Sequence, residues 1–192
     1  MPAGFAVNPN IAVVIPMMCH ADEQTAIERG LDGGHFFGYS LAHYYVFGAH
    51  KPGVTDVWQE FEARRSLFGF DRQVAARTGQ QLGAQLVQNG LGSLRGAVGT
   101  PDQIRELMRG YEQAGVDQVI FVSQAGRNRH EHICESLELF AREVMPELRD
   151  GEEKREQRKL ERLAPAIDAA LARRAPARKA DPGYVIPAAM KV

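Results

Sequence analysis

The chain has 192 residues, 44% of them hydrophobic, and a formal net charge of -1 from 23 basic and 24 acidic side chains. That size and apolar content suit one domain with a real core and exclude a chain disordered by composition. The near-neutral balance gives no electrostatic case for nucleic acid or a membrane surface as partner.

The first element is the apolar run Ile11–Ile15, which reads as a buried strand closed by Pro16. It is too short for a membrane span and has no basic leader, so the expectation is a cytoplasmic protein. Residues 21–30 (ADEQTAIERG) read as a short amphipathic helix with acidic residues early, where the helix dipole favours them. An aromatic-rich segment follows from His35 to Phe47, before the turn signal Lys51-Pro52-Gly53. Thr55 or Asp56 can cap a helix through Trp58, Phe61 and Arg65 that ends near Gly69. Residues 71–89 read as a weaker helix interrupted by Gly79 and Gly83, and residues 96–99 as a short strand.

From Gly99 to Pro146 the pattern is sharper. Thr100 suits an N-cap, Pro101 the first helical position, and Gln103 completes a capping box. Ile104, Leu107, Met108, Tyr111 and Ala114 give the helix one apolar face, and Gly115 ends it. Val119 to Val122 is a continuous apolar run of the kind found in parallel strands buried on both faces. The next helix carries Ile133, Leu137, Phe140, Ala141 and Val144 on one face and stops at Pro146. Beyond residue 148 the composition shifts to mixed charge over 152–162, then to Ala and Arg. This reads as a solvated helix and tail over 149–192, with Tyr184–Val192 as a C-terminal arm.

In β/α folds the residues just after a strand carry the chemistry. The richest such point is Ser123 to His130, with two guanidinium groups, a hydroxyl and a glycine ahead of a helix N-terminus. That suits an anion or a polar cofactor edge; a surface loop with solvated arginines is the plain alternative. His130-Glu131-His132 lacks metal-binding spacing, and Cys19 and Cys134 show no CxxC pattern, so no metal site is expected. Cys19 beside His20 reads as a buried thiol and a satisfied histidine rather than a nucleophile with its base. The rings of 35–50 are too dense for one helix face. They point to a pocket, a lid or a partner surface, with core packing as the alternative. A small flavodoxin-like domain would need more βα units than the pattern offers.

Three runs carry a resemblance: Val98-Gly99-Thr100-Pro101-Asp102-Gln103-Ile104, then Ala114-Gly115-Val116-Asp117-Gln118-Val119-Ile120, then Glu135 to Pro146 (ESLELFAREVMP). In order and spacing they resemble the C-terminal end of luciferase-like monooxygenases, and residues 11–30 look like that family's sixth strand and following helix. The resemblance implies an α/β fold that is a partial (β/α)8 barrel. Residues 1–148 would supply about the last three βα units with a helical insertion, and 149–192 a charged tail. A whole barrel takes about 250 residues.

The resemblance further implies a flavin-dependent oxidoreductase or monooxygenase using reduced FMN, or F420 in some branches, with O2 acting on a small organic substrate. The cofactor would meet Ser123, Gly126, Arg127 and Arg129. Phe37, Tyr39, His43, Tyr44 and Tyr45 would line the substrate pocket. A homo-oligomer or a companion chain would complete the barrel. A non-catalytic fragment or interaction module that pairs with a partner chain is the alternative.

Overall fold

The computed structural model of the protein describes residues 9–77, 82, 94–174 and 181–184. The expected weak helix over 71–89 and the C-terminal arm after Tyr184 fall largely outside the described residues. Residues 10–151 form one compact unit. Its order is β1 (Ala12–Cys19), α1 (Glu23–Ala42), a π-helical turn (His43–Phe47), α2 (Val57–Arg64), α3 (Arg72–Ala75), β2 (Ala97–Gly99), α4 (Pro101–Gln113), β3 (Gln118–Val122), α5 (His130–Glu143) and α6 (Met145–Arg149).

The three strands form a parallel sheet in the order β2-β1-β3. β3 pairs with residues 12–16 of β1, and β2 with residues 17–19. Pro16 has no N–H to give, and the β2 ladder begins one residue later, at Met17. Past the end of β3, the Cys19 N–H finds the Ser136 hydroxyl at 2.6 Å instead of a strand partner.

Side chains alternate along β1. Ile15, Met17 and Cys19 join Ile104 and Met108 of α4, Phe140 of α5 and Val144 beyond it in the main core. The opposite face, with Pro16 and Met18, takes α1. A Cβ on Gly30 would come within 2.3 Å of Met18 Cβ, and one on Gly34 within 3.1 Å of Pro16, so glycine is what lets this helix lie on the strand.

Helices therefore lie on both faces of the sheet. This departs from the barrel arrangement, in which sequential strands are neighbours and the helices share the outer face. Three consecutive barrel units would put β2 in the middle; here the eight-residue β1 is central because it pairs with β3 along one half and with β2 along the other. What the described residues form is an α/β unit with a small three-stranded parallel sheet, with no barrel closure among them.

Two further expectations change. The helix expected over 21–30 runs on to Ala42, through the start of the aromatic segment. It starts at Asp22, whose carboxylate accepts the Thr25 N–H at 2.7 Å. Nor is β3 buried on both faces: Val14 and its partner Ile120 are 50% and 45% exposed. α1 packs over β1 and β2 and leaves that part of the sheet uncovered. α4 forms as its sequence indicates, with the Thr100–Gln103 capping box complete and Gly115 at φ 85° after its end.

An ion pair between a buried arginine and a partly exposed glutamate ties these elements together. Arg95, 1% exposed, gives Nη2 to Glu23 of α1 at 2.7 Å and Nε to the Val98 carbonyl at 2.8 Å. The same Glu23 oxygen accepts Gln103 Nε2 at 2.8 Å. The second unit contains α7 (Glu152–Ala172), a helix with Pro165 inside it. Its surface carries Glu156–Lys159 at 3.5 Å and Gln157–Glu161 at 3.0 Å. Among the described residues no helix is long and apolar enough to cross a membrane.

Candidate functional site

From the carboxyl end of β1 the chain turns onto one face of the sheet as α1; from that of β3 it turns onto the other as α5. Such a divergence between neighbouring parallel strands opens a crevice, which is where open α/β sheets bind ligands. Here a solvent-open cleft of about 460 Å³ lies between the two turns, lined by Thr25, Glu28 and Arg29 of α1, Arg127 and Arg129 of the β3–α5 loop, and His132 of α5.

The loop is pinned along its length. Asn128 Nδ2 donates to the Ser123 carbonyl at 2.9 Å. The Asn128 amide fills the space beside Gly33 of α1, where a Cβ would stand 2.3 Å from Asn128 Oδ1. Gly126 takes a positive φ of 58°, and a Cβ there would lie 2.4 Å from the Trp58 ring. Arg127 places its guanidinium over that ring, 5.0 Å from the centroid. Backbone and neighbours thus set this loop before any ligand arrives.

The charges in the cleft are not equivalent. Arg29 is engaged by Glu135 at 2.5 Å, and Arg129 lies 3.6 Å from Glu131 with both side chains exposed. Arg127 has no carboxylate within ion-pair distance among the described residues. The N-cap of α5, Arg129, makes no side-chain capping bond. Glu131 instead accepts its own backbone N–H, which holds its carboxyl below the ordinary range. An unpaired guanidinium next to a helix N-terminus is a chemical environment that favours an oxyanion.

Of the cofactor residues expected from sequence, Arg127 and Arg129 line the cleft, while Ser123 and Gly126 shape the loop beneath them. The five aromatic-segment residues do not converge. Tyr39 and His43 are buried in an aromatic core with Phe47, Phe61, Phe68 and Phe70. Phe37 is half-buried, while Tyr44 and Tyr45 are 54% and 82% exposed. The π-helical turn divides them, sending His43 inward and Tyr45 and Val46 out.

Sequence reading missed Thr25, Glu28, Arg29 and His132. Their signal was available as helical positions in the first turns after two strands, the part of a helix that borders a crevice. Trp58 gave no signal, since its role depends on α2 reaching the β3–α5 loop.

Cys19 is a buried thiol pushed up to about 11 by that burial, and so unsuited to act as a nucleophile. His20 Nδ1 accepts the Asp22 N–H at 3.0 Å, which serves the turn into α1. Among the described residues no group of three or more His, Cys, Asp or Glu side chains is placed to hold a metal ion.

Comparison of the chain with protein-family models, curated proteins and solved structures found no match.

Proposed function

We propose that the chain is the cofactor-binding part of a flavin-dependent oxidoreductase of the luciferase-like class, taking reduced FMN, or F420, by its phosphate. The observation that carries this reading is the gathering of Arg127, Arg129, Arg29, Thr25 and His132 in one cleft, where three guanidinium groups outnumber the single carboxylate, Glu28. The runs 98–104, 114–120 and 135–146, which resemble that class, build β2, the start of α4, β3 and α5, and the cleft's lining residues lie outside them.

The lining suits the phosphate end of such a cofactor. It offers no apolar wall for the isoalloxazine ring, so the ring's surface and the organic substrate's pocket come from a companion chain or a second copy. When bound, the flavin supplies the redox chemistry; the residues here bind and orient it. A companion completing a barrel would have to meet the sheet face that α1 now occupies in part. Val14 and Ile120, half-exposed beside α1, mark where it would make contact.

The test is a titration with oxidised and reduced FMN and with F420. Binding that weakens at least tenfold in an Arg127→Ala, Arg129→Ala double variant is expected, a loss of about 1.4 kcal/mol or more. Absence of binding to all three would contradict the reading.

The second reading, a non-catalytic module that pairs with a partner chain, is favoured by the same uncovered pair on the sheet. It predicts self-association or partner capture that a Val14→Lys substitution abolishes. A monomer unaffected by that change in sedimentation would argue against it.

A further inference from the structure

Trp58 is the single tryptophan of the chain, and it stands beside the loop that carries the cleft's arginines. Phe36 and Phe61 hold its ring, with centroids at 4.9 and 5.4 Å. Its free face receives Arg127, and the close approach of Gly126 leaves the ring no room to tilt toward the loop. A guanidinium held over an indole keeps N–H groups available to a ligand and is restrained by its attraction to the ring. Arg29 and Arg129 have carboxylates beside them, whereas Arg127 has none among the described residues. Of the three it alone combines an aromatic support with the lack of an ion-pair partner among the described residues, although Glu28 shares the cleft.

We propose that Arg127 is the subsite for the phosphate group of the ligand, and that Trp58 is the positioning residue that presents it. This deepens the flavin reading and rests on it only for the identity of the whole ligand, because inorganic phosphate already carries the recognised group. The indole orders the guanidinium in advance, so the entropy of fixing a long side chain is not lost on binding. Being the sole tryptophan, Trp58 also reports the event, since an oxyanion at Arg127 changes the charge next to its ring.

The experiment is titration of the full chain with inorganic phosphate, FMN, F420 and riboflavin, followed by tryptophan emission and, for variants lacking Trp58, by calorimetry. Inorganic phosphate should give a saturable change in emission. FMN should bind at least tenfold tighter than riboflavin, and phosphate should compete with it. Arg127→Ala should abolish the phosphate response, and Arg127→Lys should keep a tenth of the affinity or less. Trp58→Phe, which retains an aromatic face, should stay within about threefold of the native affinity, while Trp58→Leu should lose about tenfold.

Rescue by the aromatic variant is what separates positioning from a merely structural role. Native phosphate affinity in Arg127→Ala, or equal loss in both Trp58 variants with folding intact, would overturn the proposal. If phosphate binds through Arg127 but neither FMN nor F420 binds more tightly than phosphate, the subsite stands and the flavin reading falls. If flavin binds and Arg127→Ala leaves it unchanged, the subsite falls and the flavin reading stands.

Discussion

Along residues 35–47 the rings mostly turn inward, and the buried polar atoms among them are poorly satisfied. His43 Nδ1 lies 3.2 Å from the Glu60 carboxylate but out of hydrogen-bonding alignment, and the Tyr39 hydroxyl is buried with no partner among the described residues. Burial first, and the Glu60 charge second, push the Tyr39 hydroxyl above its ordinary pKa. Along residues 123–129 the arrangement is reversed: the backbone is pinned by Asn128, Gly126 and Trp58 while the charged ends face water. The first segment spends its side chains on packing, and the second has its packing done by others. Residue density in a sequence thus marks a core more readily than a site.

The largest expected effect tests the packing half of that contrast. Phe70 is 2% exposed and touches Tyr39 and His35. Phe70→Ala should cost about 3–5 kcal/mol in urea unfolding, with phosphate affinity of the folded protein unchanged. A small stability loss would mean that the aromatic cluster is loosely packed.

Acid should reach the same region next. His35 Nε2 donates to the Leu94 carbonyl at 2.8 Å and Nδ1 accepts from Arg65 at 3.0 Å, so the ring sits neutral. Burial, and then the Arg65 charge, lower its pKa from 6.5 to about 4. The unfolded chain takes up that proton at about 6.5 while the folded one does not. The stabilisation is therefore complete above pH ~6.5 and lost as pH falls toward ~4, by about 3 kcal/mol in all. Asp32 adds to the loss further into acid: although burial raises its pKa, hydrogen bonds from Arg65 and Arg72 hold it below the usual carboxylate value. Urea midpoints at pH 7 and pH 4.5 should differ accordingly, and His35→Gln should flatten the dependence.

Gly126→Ala carries a smaller expected effect, about 1–3 kcal/mol, because it strains a positive φ and drives a methyl against Trp58. It should also weaken phosphate binding, which Phe70→Ala should not. Smallest of all, Arg127→Ala should change stability by no more than about 0.5 kcal/mol while removing the phosphate response. A large destabilisation there would place Arg127 in the packing half of the contrast.

Much of the fold was legible locally. Asp22, Asp56, Asp71 and Thr100 cap the helices that follow them. The apolar runs at 12–15 and 119–122 fall in strands, although β1 continues through Pro16, the expected stop, to Cys19. Strand order was not legible, because it depends on which halves of β1 meet β2 and β3, and nothing in three similar apolar runs encodes that. The extent of α1 was hidden by Gly30, Gly33, Gly34 and Gly38, which weaken helix propensity yet permit close packing. Arg127 and Arg129 were visible as a polar loop after a strand. Their partners on α1 were not, since Thr25, Glu28 and Arg29 reach the cleft only once α1 and α5 diverge from adjacent strands.

The most direct measurement is a backbone and arginine side-chain NMR titration of the protein with inorganic phosphate. Shifts should concentrate at Thr25–Arg29 and Arg127–His132, with Arg127 Nε moving most and residues 39–47 staying still. Shifts centred on Tyr44 and Tyr45, or none at the two turns flanking the cleft, would contradict the account.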